Sequence, residues 1–253
     1  MADTLYYTKF ESDYLAQKQK EFLAQIAASV PSPLYGKKLA VLGDSISYGY
    51  SPASFTTPVT ASYAKVAAER LGMTFVNHGI TGSTVAIQPS DPTGNNPMVN
   101  RYTSLPDDAD VIVFMGGTND YRKSDIMVGT TSDTGTSTFY GALNTLALGL
   151  YTKYYTNLAD GYKKTIVFCT PIKAFNEVMY GNVLRQYADA VKYVAQKYNF
   201  VFIDMYYESG INPHIMNTAA SGHNPYIYDG VHPTQDGHNI IANKLVGVLK
   251  FVR

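Results

Sequence analysis

Lys37-Lys38-Leu39-Ala40-Val41-Leu42-Gly43-Asp44-Ser45 sets four apolar residues between a pair of lysines and a turn-forming Gly-Asp-Ser. A short apolar run without polar alternation, closed by a turn signal, predicts a strand covered on both faces, as parallel strands are. The same unit recurs downstream. Strands are predicted near Lys38 to Leu42, Thr74 to His78, Val111 to Met115, Thr165 to Thr170 and Phe200 to Asp204. Helical periodicity occupies the gaps, near Ala61 to Leu71, Thr138 to Asn157, Asn182 to Tyr198 and Gln235 to Val252. In the last of these, Ile240, Ile241, Leu245, Val248 and Leu249 form one apolar face, and Thr234 stands at the N-cap position. Alternating strands and helices of these lengths predict repeated βα units around a parallel sheet.

The segment before this pattern is different. Residues 5 to 30 carry Leu15, Phe22, Leu23, Ile26, Ala27 and Val30 among Lys, Gln and Glu, spacing that predicts an amphipathic helix ending before Pro31. The expected organisation is therefore an N-terminal helical extension over 1–33 and one α/β domain over 34–253. The start of the chain carries no basic region followed by an apolar core, and no apolar run approaches the ~18 residues of a membrane span. A soluble chain is expected, either cytoplasmic or part of a larger secreted or virion assembly; the sequence leaves its oligomeric state open.

Composition excludes several classes of partner. The 253 residues hold 20 Lys and Arg against 20 Asp and Glu, for zero formal net charge. Only 16% of positions are charged, and no basic run is present to follow a phosphate backbone, so nucleic acid is not an expected partner. Polarity comes from Ser, Thr, Asn and 22 Tyr, with no Trp, a balance suited to neutral polar ligands such as glycans. Cys169 is the sole cysteine and sits in an apolar strand, which predicts a buried thiol and no disulfide.

Four polar clusters follow predicted strands or precede the last helix: Gly43-Asp44-Ser45, Asn77 to Gly82, Gly116 to Asp120, and Asp229 to Pro233. Ligands of open parallel sheets bind beyond the carboxyl ends of the strands, so the long loops there should surround a site. Those loops, Ser83 to Asp108, Tyr121 to Gly135 and Tyr206 to Gly230, are rich in Gly, Pro, Asn, Ser, Thr or Tyr and carry no clear secondary structure. Each cluster alone is ordinary: Gly-Asp-Ser is a common turn, and an Asn-Asp pair is commonly a helix cap. Their conjunction is specific. Nucleophilic acyl transfer needs a hydroxyl, an imidazole to take its proton, a carboxylate to orient the ring, and donors for the oxyanion. Ser45 is the candidate nucleophile, His232 the base, Asp229 the carboxylate beside it, and Pro233 favours an extended His232. The backbone N–H of Ser45, that of Gly82 and the Asn119 amide are candidate oxyanion donors. Gly79 lies in the same block, and the spacing to Asn77 with the following Ser83-Thr84 favours Gly82.

In sequence order these blocks resemble those of the SGNH/GDSL hydrolase family: Gly43-Asp44-Ser45, Asn77 to Thr84, Gly117-Thr118-Asn119-Asp120, and Asp229 to His232. The resemblance spans about Lys37 to Val252. It implies an α/β fold, a flavodoxin-like three-layer α/β/α sandwich with a central five-stranded parallel sheet. It also implies Ser45 as nucleophile and oxyanion donor, Gly82 and Asn119 as the other donors, His232 as base, Asp229 as its partner, and no cofactor. The segment before Pro33 lies outside it.

The substrate expected is a short-acyl ester, foremost an O-acetyl group on a carbohydrate, because the loops beside the blocks are polar and aromatic without the long apolar surface that fatty chains need. Within the family, aryl or alkyl esterase, lysophospholipase and thioesterase activities are alternatives. Tyr48, Tyr121 and Tyr228, which stand next to the blocks, are candidate substrate-binding residues, as are Tyr50 and Tyr226. Asp44, Asn77 and Asp120 are read as turn or cap residues. The remaining histidines, His78, His214, His223 and His238, lack the spacing of a metal site. Metal-dependent phosphoester hydrolysis lacks an early Asp-x-His pair before Gly43, so no metal is expected. The other alternative is a non-catalytic glycan-binding module that kept the fold within a viral tail or cell-surface complex.

Overall fold

The computed structural model describes residues 13–19, 21, 32–52, 59–214 and 226–251. Five strands form one wholly parallel sheet: β1 (Lys38–Gly43), β2 (Thr74–Gly79), β3 (Val111–Met115), β4 (Thr165–Cys169) and, after a short antiparallel hairpin β5–β6 (Val178–Met179 and Asn182–Val183), β7 (Val201–Ile203). Their spatial order is β2-β1-β3-β4-β7. The chain thus runs from β1 outward to β2, then crosses back over β1 to build the other half. That reversal places the ends of β1 and β3 side by side, with Gly43 opposite Met115, and this is the crevice where such sheets bind ligands.

The helices follow from the strand sequences. In β1, Leu39 and Val41 face one layer while Ala40 and Leu42 face the other, and all four are fully buried. The first layer holds α2 (Tyr63–Leu71) packed on α6 (Gln235–Leu249), the second α3 (Phe139–Tyr151) packed on α4 (Leu184–Lys197). Two further helices are short: α1 (Ser45–Tyr48) and α5 (Met205–Glu208). Each fully buried Leu, Ile or Phe of these cores stabilises the fold by about 1.5–3 kcal/mol. The sandwich is therefore the three-layer α/β/α fold with the five-stranded parallel sheet that the sequence predicts.

Element bounds differ in instructive places. The helix expected to Asn157 ends as α-helix at Tyr151 and continues as one π turn over Thr152–Thr156. The helix expected from Asn182 begins at Leu184, because Asn182 and Val183 pair with Met179 and Val178 across a turn in which Tyr180 takes a positive φ of 53°. Cys169 is buried in β4, and its low-dielectric surroundings push the thiol well above its ordinary pKa. Of the predicted N-terminal helix, residues 13–19 and 21 are helical and exposed, and the rest lies outside the described residues. Among the described residues no helix is long and apolar enough to cross a membrane.

Candidate active site

β1 delivers Ser45. Gly43 closes the strand where only glycine fits, since a Cβ there would lie 2.1 Å from the Ser47 Oγ and 2.9 Å from the Met115 carbonyl. Asp44 then turns the chain: its Oδ1 accepts the Ile46 N–H at 2.9 Å and N-caps α1, so Ser45 becomes the first helical residue. A first-turn N–H has no partner inside its own helix and remains available to an anion. Asp44 is buried, which pushes its carboxyl up to about 6, against the opposing pull of the Ile46 N–H and His232.

His232 comes from the far end of the chain on a small hairpin. Ile227 and Pro233 form an antiparallel bridge, and the Tyr228 N–H donates to the His232 carbonyl at 2.8 Å. Inside that loop Asp229 uses both oxygens: Oδ1 accepts the N–H groups of Val231 (3.1 Å) and His232 (2.8 Å), and Oδ2 lies 2.8 Å from His232 Nδ1. Partial burial acts to raise the Asp229 pKa, but these bonds outweigh it and hold the carboxyl down at about 2. The other ring nitrogen, Nε2, is 2.9 Å from Ser45 Oγ. The structure thus brings Ser45, His232 and Asp229 into one hydrogen-bonded chain across 187 residues of sequence. Tyr50 packs on the imidazole with ring centroids 4.8 Å apart.

The glycine block stands beside them. Ile80 to Ser83 is a turn closed by the Ser83 N–H on the Ile80 carbonyl at 3.1 Å, with Gly82 at φ +78°, a value that favours glycine at that position. Gly79 donates its N–H to Asn77 Oδ1 at 2.8 Å, and a Cβ on it would strike the Tyr48 backbone at 2.4 Å. The Gly82 N–H makes no hydrogen bond among the described residues. Asn119 reaches the same turn, its Nδ2 donating to the Ser83 carbonyl at 2.9 Å. An amide nitrogen carries two hydrogens, so one remains for another acceptor. Behind the turn, the buried Asp120 accepts the N–H groups of Val85 and Ala86 at 2.9–3.0 Å. Burial pushes its carboxyl up to about 7, with those two N–H groups acting in the opposite direction.

Two of the three tyrosines read as substrate-binding residues are buried. Tyr121 is fully buried: the turn at Asp120–Arg122 rotates it into the core, where its hydroxyl donates to the Asn176 carbonyl at 2.6 Å and its ring meets Tyr187. Tyr228 is also buried, as the base of the His232 hairpin. Tyr48 is open, with 57% of its surface exposed at the end of α1. Phe175, which the sequence reading passed over, lies against the hairpin, its N–H donating to the Gly230 carbonyl at 2.7 Å. Among the described residues no group of three or more His, Cys, Asp or Glu side chains is arranged to hold a metal ion.

His238 has a role no local pattern announces. It sits on α6, fully buried, and its Nδ1 accepts the Tyr63 N–H at 3.1 Å, capping α2 from another helix while the nominal N-cap Ser62 makes no side-chain cap bond. Burial, aided by the nearby His232, lowers its pKa to about 3. The unfolded histidine protonates near 6.5, so between pH 6.5 and about 3 the unfolded chain binds a proton that the folded one does not, and this group's contribution to stability falls with falling pH. A His238→Asn variant lacks that term. In urea titrations the stability gap between wild type and variant should therefore shrink by about 2 kcal/mol from pH 7 to pH 5. A gap that stays constant would mean that the ring is protonated in the folded protein.

The sheet order and the layers of helices on both faces define an α/β fold of the SGNH hydrolase type. The family profile described as the GDSL-like lipase/acylhydrolase family matches residues 41–240, most of the chain, and the protein belongs to that family. Among solved structures, a protein from Lactobacillus plantarum is 29% identical, with a TM-score of 0.69, covering 85% of this chain and 97% of that one. A possible lipase from Chitinophaga pinensis is 21% identical (TM-score 0.61; 84% and 97% covered). An acetyl xylan esterase from Geobacillus stearothermophilus is 23% identical (TM-score 0.55; 87% and 98% covered). The last two likenesses are of fold. No curated protein sequence matches the chain.

Proposed function

We propose that the protein is a serine esterase that removes short acyl groups, foremost O-acetyl groups from carbohydrate, through an acyl-Ser45 intermediate. The observation that carries this reading is the continuous chain from Ser45 Oγ to His232 Nε2 (2.9 Å) and from His232 Nδ1 to Asp229 Oδ2 (2.8 Å). His232 takes the hydroxyl proton as Oγ attacks the ester carbonyl carbon. The oxyanion that forms is received by the N–H of Ser45, the N–H of Gly82 and the Asn119 amide. Collapse breaks the ester C–O bond, and His232 passes its proton to the departing alcohol. Water then repeats the sequence on the acyl-serine and releases the acid. Asp229, held anionic, keeps the ring in the tautomer with Nδ1 protonated and Nε2 free to accept.

Support for a short acyl group and a sugar-bearing alcohol comes from the ring of Tyr50 against His232 and the exposed Tyr48 at the end of α1, amphipathic surfaces suited to neutral hydroxylated ligands. The acetyl xylan esterase with the same fold makes an acetylated polysaccharide a concrete first natural substrate to try. The test is a chain-length series. p-Nitrophenyl acetate should be hydrolysed with kcat/KM about tenfold or more above the octanoate, with a chelator making no difference. A preference for octanoate would contradict the short-acyl reading, and loss of activity on chelation would contradict the serine mechanism.

A further inference from the structure

One half-buried cation near the site takes no part in the chemistry above. Arg101 lies in the long loop between β2 and β3, and its guanidinium fork reaches four acceptors on separate pieces of chain. Nη1 donates to the His78 carbonyl at 2.7 Å, Nη2 to the Gly43 carbonyl at 3.1 Å and to Ser83 Oγ at 2.8 Å, and Nε to the Asn96 carbonyl at 2.8 Å. Ser83 Oγ in turn donates to the Asn96 carbonyl at 2.7 Å, which leaves its lone pairs to Arg101. The Gly43 carbonyl also accepts the Ile80 N–H at 3.1 Å. One side chain therefore ties the end of β1, the end of β2 and the turn after β2 into a single unit.

Each oxyanion donor hangs from this unit. Ser45 follows Gly43 by two residues. Gly82 precedes Ser83 directly. Asn119 is bonded to the Ser83 carbonyl. Three donors on three loops must converge on one oxygen, and a displacement of about 1 Å in such a constellation costs about 100-fold in rate. Only a planar fork with five N–H groups spans acceptors arranged this way; a lysine ammonium cannot hold them together. Partial burial lowers the Arg101 pKa to about 10, and Asp44, buried beside Ser45, acts in the opposite direction and favours the charged guanidinium.

We infer that Arg101 is a positioning residue for the oxyanion hole, fixing the relative placement of the Ser45 N–H, the Gly82 N–H and, through Ser83, the Asn119 amide. The inference rests on the serine-esterase reading, because it assigns the clamp to donors that matter only if an oxyanion forms there. It goes beyond that reading in giving a catalytic consequence to a residue that touches neither substrate nor triad. A clamp that acts on the transition state and not on ground-state binding lowers kcat and leaves KM alone when it is loosened.

The experiment compares steady-state hydrolysis of p-nitrophenyl acetate by wild type, Ser45→Ala, Arg101→Lys and Arg101→Ala, with the folded fraction of each measured by thermal melting. Expected is a fall in kcat of about 10- to 100-fold in Arg101→Lys, with KM within about twofold of wild type. Guanidinium at millimolar concentration should restore part of the kcat of Arg101→Ala, while methylammonium at the same ionic strength should not. If Arg101→Ala does not fold, Arg101→Lys decides alone. A folded Arg101→Lys with wild-type kcat overturns the inference, as does a loss confined to KM or one that only tracks the unfolded fraction; so does a folded Arg101→Ala that guanidinium fails to rescue. Failure of the underlying reading looks different, since Ser45→Ala would then hydrolyse the ester like wild type.

Discussion

Ser45→Ala should lower kcat on p-nitrophenyl acetate by 10⁴-fold or more while leaving KM and the melting temperature near wild type. The expected size follows from what the residue does and from what it does not do. Ser45 is the first residue of α1, its side chain bonded to His232 and to no structural partner that the fold depends on, so alanine keeps the helix and its N–H. What disappears is the only hydroxyl hydrogen-bonded to His232 Nε2 among the described residues. Where residues act as a unit, losing the nucleophile costs on the order of 10⁴ to 10⁶ in kcat, because the remaining parts cannot substitute for a covalent step. Steady-state kinetics of the purified variant checks this, and a variant retaining a tenth of wild-type kcat would move the nucleophile elsewhere.

Asp229→Asn should be nearly as damaging, with kcat down on the order of 10³- to 10⁴-fold. The reason lies in how the two carboxylate oxygens are used. Oδ1 holds the N–H groups of Val231 and His232, an acceptor role that the amide oxygen of asparagine can keep. The amide nitrogen then faces His232 Nδ1 and donates to it. That forces the ring proton onto Nε2, so the nitrogen 2.9 Å from Ser45 Oγ donates where it must accept. Geometry survives and the tautomer is wrong. Nitrogen-15 chemical shifts of the imidazole distinguish this from misfolding: Nδ1 should be the protonated nitrogen in wild type and Nε2 in the variant. Unchanged shifts together with unchanged kcat would remove Asp229 from the mechanism.

Much of this was legible in the sequence because it was local. The three inner strands follow from mostly apolar runs such as Val111 to Met115, where burial on both faces leaves no polar alternation, and the glycine at 43 marks the close approach that ends β1. The ordered Gly-Asp-Ser, glycine, Gly-x-Asn-Asp and Asp-x-x-His blocks pointed to the residues that the fold gathers, since each block sits within a few residues of a strand or helix end. Spacing favours Gly82 over Gly79 as a candidate donor; in the structure the Gly79 N–H donates to Asn77, while the Gly82 N–H makes no hydrogen bond among the described residues.

What stayed hidden depends on tertiary placement. Tyr121 follows Asp120 directly, and nothing in the order of residues says that a 3-10 turn buries it while Tyr48, just as close to its block, remains open. His238 caps a helix 175 residues away, a pairing that only the packing of α6 on α2 creates. Arg101 is a single arginine in a loop without periodicity, and its importance comes from the convergence of β1, β2 and the glycine turn around it. The hairpin Val178–Val183 escaped because two-residue strands carry no pattern long enough to detect.

Covalent capture reads out whether Ser45 is a nucleophile activated by His232. Treatment with a stoichiometric alkyl fluorophosphonate, followed by intact-mass measurement and peptide mapping, should show one phosphonyl group on the peptide carrying Ser45. The adduct should be absent from Ser45→Ala and form far more slowly in His232→Ala. A single adduct at another residue, or an unmodified wild-type protein under conditions where it hydrolyses p-nitrophenyl acetate, would mean that Ser45 is not the nucleophile.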